Sequence, residues 1–178
     1  MNHDDHVYLL RDGISTPGGV WADLGSGWGA FTLALADLIG PTGQIYSVDK
    51  DPGALREQEQ SLRARFPDVP VHTFAADFTR RLDLPPLDGI VLANALHFVT
   101  DRRGEREEVV QLIKSYLRPS GRLVVVEYTA DEGNQWVPYP LSYPTWEKVA
   151  RRCGFANTRR LATVPSRFLK EIYSAVSY

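Results

Sequence analysis

Apolar positions in the first part of the chain change from a continuous run to helical spacing and back. A short apolar run at 20–24 predicts a strand. Apolar residues then recur at i, i+4, i+7 and i+8 on one face of a predicted helix, namely Phe31, Leu35, Leu38 and Ile39. Gly40-Pro41 ends this helix, and a second strand at 44–48 leads directly to Asp49. This order is typical of two parallel strands joined by a helix.

The same alternation continues to the end of the chain. Three further strands are predicted, at 71–76, 87–94 and 123–127. A helix with Asp51 as its N-cap precedes the strand at 71–76, and a helix at 105–117 precedes the strand at 123–127. The run at 87–94 is apolar almost throughout, which indicates burial on both faces, as in a central parallel strand. After a last helix that starts at Ser142, two strands around Pro165-Ser166 predict an antiparallel hairpin.

Two charged segments are predicted to be solvated. Residues 1–19 show at most one helical turn, at 6–11, and we expect a mobile terminus. This is preferred to a metal site built from its two histidines and two aspartates, His3, Asp4, Asp5 and His6. At the start of the helix at 105–117, glutamates alternate with three arginines, Arg102, Arg103 and Arg106. That pattern favours a solvated helix start over a nucleic-acid patch.

Composition narrows the class of protein. A chain of 178 residues with 43% hydrophobic content suits one domain, residues 1–178, with a sizeable core. The net charge of −2 gives no strong attraction to nucleic acid or to anionic membranes. The single cysteine, Cys153, excludes a disulfide framework and a cysteine-built zinc site, and no metal is predicted. No apolar run approaches the ~20 residues of a membrane span, and we expect a soluble, cytoplasmic protein.

The turn between the first strand and the first helix carries the candidate chemistry. It contains three spaced glycines in Gly25-Ser26-Gly27-Trp28-Gly29. Glycine permits positive φ and close approach of a ligand to the backbone, and the free N–H groups of the helix start face that ligand. Asp49, 24 positions after Gly25, can accept hydrogen bonds from both ribose hydroxyls of a nucleoside. A nucleoside cofactor across the carboxyl ends of two parallel strands is therefore predicted.

Two cofactor classes are compatible with a glycine turn of this kind. Gly25-x-Gly27-x-x-Ala30 also fits the dinucleotide fingerprint of nicotinamide dehydrogenases. However, the tighter spacing of Asp23-x-Gly25-x-Gly27-x-Gly29 resembles motif I of the class I S-adenosylmethionine-dependent methyltransferases. "LRPSGRLVVVE" at 117–127 resembles the segment before and within strand 5 of that family, and the resemblance covers residues 18–178. We favour the methyltransferase interpretation, with a small-molecule type of member.

The resemblance implies a fold and a set of cofactor contacts. The implied fold is a three-layer αβα, Rossmann-like sheet of seven strands in the order 3-2-1-4-5-7-6, with strand 7 antiparallel. The cofactor is S-adenosyl-L-methionine, and the positions that match its site are Asp23, Gly25, Ser26, Gly27, Trp28, Gly29, Asp49, Lys50, Asp77, Phe78, Asn94 and Ala95. Asp23 would bind the methionine end and Asp77 the adenine amino group. A turn-capping role for Asp77 is the alternative.

Methyl transfer and acceptor binding have weaker signals. His97, in "ALHF", is the one histidine near the predicted methyl position, and it is either a general base or a loop histidine bonded to backbone. The loop at 129–143 starts beside that position and contains the candidate substrate contacts Trp136, Tyr139 and Tyr143. These aromatic residues either cover the acceptor or pack on neighbouring helices.

The acceptor itself stays open at this point. The "ALHF" segment and the absence of a strong basic field favour a small molecule. RNA or protein is the alternative acceptor class, and a third possibility is a protein that binds the cofactor without catalysis. The sequence leaves the choice between a monomer and a homodimer open.

Overall fold

The computed structural model describes the backbone of residues 1–178 and every side chain except that of Arg102. Seven strands are present in this backbone: β1 Gly19–Leu24, β2 Gly43–Asp49, β3 Val71–Ala75, β4 Leu87–Ala93, β5 Leu117–Tyr128, β6 Thr158–Pro165 and β7 Glu171–Ser177. The α-helices are α1 His3–Leu10, α2 Ala30–Ile39, α3 Pro52–Arg65, α4 Glu105–Lys114 and α5 Tyr143–Arg152. Short 3₁₀ segments lie at Arg11–Gly13, Gly40–Thr42, Leu96–Phe98 and Arg102–Gly104.

The strands form one sheet in the order β3-β2-β1-β4-β5-β7-β6, as predicted. Strands β1 to β5 are parallel, with Ala22 of β1 opposite Tyr46 of β2 and Ile90 of β4. Strand β7 runs antiparallel to both β5 and β6, which confirms the closing hairpin. The carboxyl ends of β1 to β5 therefore share one edge of the sheet, where the glycine turn and Asp49 lie.

Helices cover both faces of the sheet. On one face, α1, α2 and α3 pack with alternate residues of the central strands, such as Val91 and Val124. On the other face, α4 and α5 pack with Ile90 and Leu123. Successive residues of β4 thus point to opposite layers, and Ile90, Val91 and Leu92 are fully buried. This confirms the interpretation of its continuous apolar run.

The amino-terminal segment is not mobile, and that prediction is wrong. Asn2 caps α1 by accepting a hydrogen bond from the Asp5 N–H at 2.9 Å, and Leu9 and Leu10 at its other end are fully buried. His3 Nε2 lies 3.0 Å from Asp37, whereas the His6 ring packs edge-on against Phe31. Among the described side chains there is no cluster of three or more His, Cys, Asp or Glu residues that could hold a metal ion.

Two differences concern the region between β4 and β5. Residues 118–121, which precede the strand predicted at 123–127, bulge out within β5 between the paired residues Leu117 and Arg122. Arg106, expected in solvent, is only 3% exposed and donates to the carbonyl oxygens of Val99 and Tyr139 at 3.1 and 3.0 Å.

None of the described helices is both long and apolar enough to span a bilayer.

Candidate functional site

The glycine turn is held against the neighbouring strand by its backbone. The N–H groups of Gly25 and Ser26 both donate to the carbonyl oxygen of Val48, at 2.8 and 3.0 Å. Gly25 has φ +76°, and a Cβ atom there would lie 2.7 Å from the Cβ of Ala95. Any side chain at this position would therefore fill the space between the turn and the segment after β4.

A second glycine contacts a residue that the sequence analysis missed. Gly29 has φ +81°, and a Cβ atom there would lie 2.2 Å from Cγ of Gln58. The fully buried Gln58 amide donates to Ser26 Oγ at 3.1 Å and to the Gly27 carbonyl at 3.3 Å. Its oxygen accepts a 2.6 Å hydrogen bond from the buried Ser47 hydroxyl. This network fixes the turn relative to α3, since every polar group of the Gln58 amide has a partner.

Asp23 is buried beneath the turn with one oxygen unpaired. It is 1% exposed, and its Oδ2 accepts a 2.6 Å hydrogen bond from the hydroxyl of Thr32 on α2. Its Oδ1 is buried and has no hydrogen-bond partner among the described residues. Burial raises the pKa of Asp23 from 3.8 to about 7; the Thr32 hydrogen bond opposes this rise, and the charge of Asp49 adds to it. A cationic ligand group beside Oδ1 would satisfy this carboxylate.

Asp49 connects the end of β2 to the glycine turn. Its Oδ2 accepts a 2.7 Å hydrogen bond from the N–H of Gly27, and its Oδ1 accepts one of 2.9 Å from the N–H of Asp51. Each carboxylate oxygen can accept a further hydrogen bond. The contact with ribose hydroxyls therefore stays a prediction, with the carboxylate already oriented by two backbone donors.

Half of the predicted cofactor residues meet in one cleft at the carboxyl edge of the sheet. It has a volume of about 270 Å³ and is lined by Gly25, Asp49, Lys50, Phe78, Asn94, Ala95 and Phe98. Phe98, which we did not assign to the cofactor, is 64% exposed, and Trp28 in the turn is 63% exposed. The adjacent "ALHF" pattern was the available signal for Phe98. The cleft thus combines the aromatic rings of Phe78 and Phe98 with the polar side chains of Asp49, Lys50 and Asn94.

Asp77 lies beside the cleft and caps a turn. Its Oδ1 accepts hydrogen bonds from the N–H and hydroxyl groups of Thr79 at 2.9 and 2.7 Å, and its Oδ2 lies 3.0 Å from the Lys50 ammonium. Partial burial acts to raise the pKa of Asp77, but the Thr79 hydrogen bonds and Lys50 outweigh it, so the pKa is lowered. The capping role left open from the sequence is thus observed, and adenine recognition stays a prediction.

Asn94 ends β4 in a conformation that is unusual for a residue with a side chain. Its φ is +51°, and its side-chain oxygen is buried and has no hydrogen-bond partner among the described residues. Asparagine tolerates this left-handed region better than most residues. Asn94 therefore lines the cleft with an unused hydrogen-bond acceptor buried at the end of β4.

His97 is buried and paired with a carboxylate. It is 3% exposed, and its Nδ1 lies 2.9 Å from Oε2 of Glu127, a fully buried residue near the end of β5. Glu127 Oε1 also accepts the backbone N–H of His97, at 3.1 Å. His97 is absent from the described lining of the cleft. A role in proton transfer stays a prediction, whereas its anchoring contacts are present.

The three aromatic residues predicted to contact the acceptor lie in different surroundings. Trp136 and Tyr139 are 64% and 40% exposed, and the Tyr139 N–H donates to the His97 carbonyl at 3.0 Å. Tyr143 has the packing contacts that the sequence left as the alternative. Its ring packs on Tyr173, and its hydroxyl lies 3.4 Å from the carbonyl of Thr158, at the start of β6. Tyr143 is absent from the described lining of the cleft, and its contact with an acceptor stays a prediction.

These residues fit S-adenosylmethionine. The unpaired Asp23 oxygen suits its cationic methionine end, and the bare Gly25 backbone and Asp49 suit its nucleoside. The family model of the methyltransferase domain matches residues 22–123, more than half of the chain. The chain therefore belongs to the methyltransferase domain family, and its resemblance to class I S-adenosylmethionine-dependent methyltransferases is confirmed.

Two relatives agree with this assignment, and a solved structure shares the fold. A 2-phytyl-1,4-naphtoquinone methyltransferase of Trichormus variabilis is 27% identical over 67% of this chain and 51% of its own. A protein-L-isoaspartate O-methyltransferase of Methanothrix thermoacetophila is 28% identical over 65% of this chain and 48% of its own. The chain thus spans about half the length of these relatives. A Burkholderia thailandensis 1,6-didemethyltoxoflavin-N1-methyltransferase, solved with 1,6-didemethyltoxoflavin and S-adenosylhomocysteine, has a TM-score of 0.73 at 18% identity, over 98% of this chain and 77% of its own.

Proposed function

We propose that residues 1–178 form one domain that transfers the methyl group of S-adenosylmethionine to a small molecule. The observation that carries this proposal is the buried, unpaired oxygen of Asp23 directly below a glycine turn that Asp49 orients. When bound, the cofactor supplies a methyl group on a sulfonium, which is a good leaving group. The chain would bind and align its partners, and alignment is a large part of the catalysis of such reactions.

Three residues would hold the cofactor in this alignment. Asp23 would hold the cationic end, and Asp49 the ribose. Phe78, only 9% exposed beside Gly25, would pack on the adenine ring. The acceptor's nucleophilic atom bonds to the methyl carbon while the carbon–sulfur bond breaks and its electron pair stays on sulfur. A base is needed only if the acceptor atom carries a proton at neutral pH.

Small-molecule acceptors are supported by two of the relatives. The Trichormus and Burkholderia proteins are named for ring compounds, whereas the Methanothrix protein is named for a protein acceptor. A net charge of −2 gives little support for RNA. The cytoplasmic location expected from the sequence stays a prediction.

Ligand titration tests the proposed function. Isothermal titration should show micromolar binding of S-adenosylhomocysteine and weaker binding of NAD. Asp23→Asn should weaken the binding of S-adenosylhomocysteine. An acceptor screen that detects S-adenosylhomocysteine should then include planar small molecules, peptides and RNA oligonucleotides. Tighter binding of NAD would contradict the cofactor assignment. Bound cofactor with no turnover on any acceptor would indicate a binding protein without catalysis.

A further inference from the structure

A second, larger cavity adjoins the cofactor cleft at the carboxyl edge of the sheet. Its volume is about 620 Å³, more than twice that of the cleft. It lies between α1, the ends of β4 and β5 and the β6–β7 turn, and its lining includes His6, Asn94, Tyr128, Arg167 and Phe168. Of its described lining residues, Asn94 alone is among those assigned to the cofactor from the sequence.

Asn94 is shared by the two cavities. The cleft extends from Asn94 over β1 and β2 toward β3, whereas the second cavity extends from Asn94 over β5 toward β7 and β6. The nucleoside contacts Asp49 and Phe78 lie at the far side of the cleft from the second cavity. A cofactor bound there would therefore direct its methionine end, and the methyl group next to it, toward Asn94.

The walls of the second cavity indicate the chemistry of its ligand. Tyr128, Phe168 and Ile172 supply aromatic and aliphatic surface. Arg167 is the one charged side chain among the described lining residues, and no described acidic side chain lines the cavity. The Arg167 guanidinium lies 5.2 Å from the centre of the Phe168 ring, and both residues are exposed. A cationic ligand is disfavoured there, and an anionic one is attracted.

We propose that this cavity is the acceptor site, and that its acceptor is a planar aromatic small molecule with a carboxylate or an acidic hydroxyl. This proposal rests on the proposed function. The aromatic walls pack on the ring, Arg167 pairs with the anionic group, and Asn94, which lines both cavities, lies near the methyl group. In the transfer step, the acceptor atom gains the methyl group, sulfur keeps the electron pair, and any acceptor proton passes to solvent.

The site differs from the one expected from the sequence. Trp136 and Tyr139, in the loop after β5, line neither the cleft nor the second cavity in the described structure. The two assignments therefore make opposite predictions. Variants of Arg167 and Phe168 should change acceptor binding if the cavity is the site, and variants of Trp136 should change it if the loop is the site.

The test uses two planar probes, salicylate and 1-hydroxy-2-naphthoate, titrated into protein saturated with S-adenosylhomocysteine. Their methyl esters provide a matched pair without the carboxylate charge. Arg167→Gln should weaken binding of the carboxylate probes about fivefold to twentyfold, as for loss of a charge-assisted contact, and leave the esters unchanged. Phe168→Ala should weaken both. Two control variants, Arg151→Gln at an exposed arginine of α5 and Trp136→Ala, should bind both kinds of probe within about twofold of the wild-type affinity.

The outcomes separate the two proposals. If S-adenosylhomocysteine does not bind, the proposed function fails and the acceptor site fails with it. If it binds but neither probe binds at about 1 mM, only the acceptor proposal is overturned. Binding that is insensitive to Arg167→Gln and Phe168→Ala overturns it as well. Loss of probe binding in Trp136→Ala also overturns it, and would indicate that the acceptor binds at the loop after β5.

Discussion

Glu127 holds His97 at two points, its backbone N–H at 3.1 Å and its ring Nδ1 at 2.9 Å. The two residues join the end of β5 to the segment after β4, from which Ala95 and Phe98 line the cleft. Since both side chains are buried, the pair fixes this segment relative to the sheet. His97 thus has a positioning role that does not require proton transfer.

Replacing His97 should affect stability more than turnover. His97→Gln removes the ring partner of a buried carboxylate, and the free energy of unfolding should fall by about 1–3 kcal/mol. With the acceptor that the screen identifies, the kcat of the folded fraction should stay within about threefold of the wild-type kcat. Denaturant unfolding and steady-state kinetics measure the two effects, and His72→Gln, at an exposed histidine of β3, is the control. A hundredfold lower kcat at unchanged stability would instead assign His97 to proton transfer.

Asp49 should contribute strongly to cofactor binding. Asp49→Ala removes the acceptor of the Gly27 N–H and the predicted ribose contact, and charge-assisted hydrogen bonds are worth roughly 1.5–3 kcal/mol. The Kd for S-adenosylhomocysteine should rise about tenfold to a hundredfold while the fold is retained. Calorimetry with Asp68→Ala, an exposed carboxylate, as control measures this. Unchanged affinity in a folded variant would show that ribose binds elsewhere.

Gln58 should act on the cofactor without touching it. Gln58→Ala removes the hydrogen bonds to Ser26 and the Gly27 carbonyl and frees the space beside Gly29. We expect a loss of about 1–2 kcal/mol in unfolding free energy and several-fold weaker S-adenosylhomocysteine binding. Gln60→Ala, on the exposed side of the same helix, should change neither. Equal cofactor affinity in both variants would show that the turn is rigid without this network.

The fold follows from local patterns that the sequence displays directly. The apolar run of β4 and the glycine turn locate the central strand and its crossover, and the structure confirms both. The carboxyl-edge position of Asp49 follows from strand direction alone. Gln58 could also have been found, because it lies at i+3 from Leu55 and i−4 from Leu62, on the buried face of α3.

The remaining features depend on contacts between distant segments. Glu127 and His97 are 30 positions apart, so their pairing needs the β4–β5 register. The second cavity requires α1 and the β6–β7 turn to meet at Asn94, which no local spacing encodes. Docking of α1 itself rests on the burial of Leu9 and Leu10 against the rest of the fold. Helices of this length are marginal in isolation, so the propensity of residues 3–10 gave little signal.

Cofactor affinity should depend on pH through Asp23. Its pKa of about 7 in the free protein means that the carboxyl is largely protonated below neutral pH. A cationic ligand group favours the deprotonated form, so binding must first release this proton. For a pKa of about 7, S-adenosylhomocysteine should bind about tenfold more tightly at pH 8 than at pH 6. Calorimetry across this range in wild type and Asp23→Asn measures the effect, and the variant should show a flat profile.

The stability of the free protein should change in the opposite direction. The unfolded chain loses the Asp23 proton near pH 4, whereas the folded state keeps it up to about pH 7. Between these values the folded state binds more protons, so the Asp23 contribution to the free energy of unfolding falls as pH rises. The difference between wild type and Asp23→Asn should therefore shift in favour of the variant from pH 5 to pH 8, and saturating S-adenosylhomocysteine should reduce this shift. A difference independent of pH would mean that Asp23 is already ionised in the free protein, and the affinity profile would then also be flat.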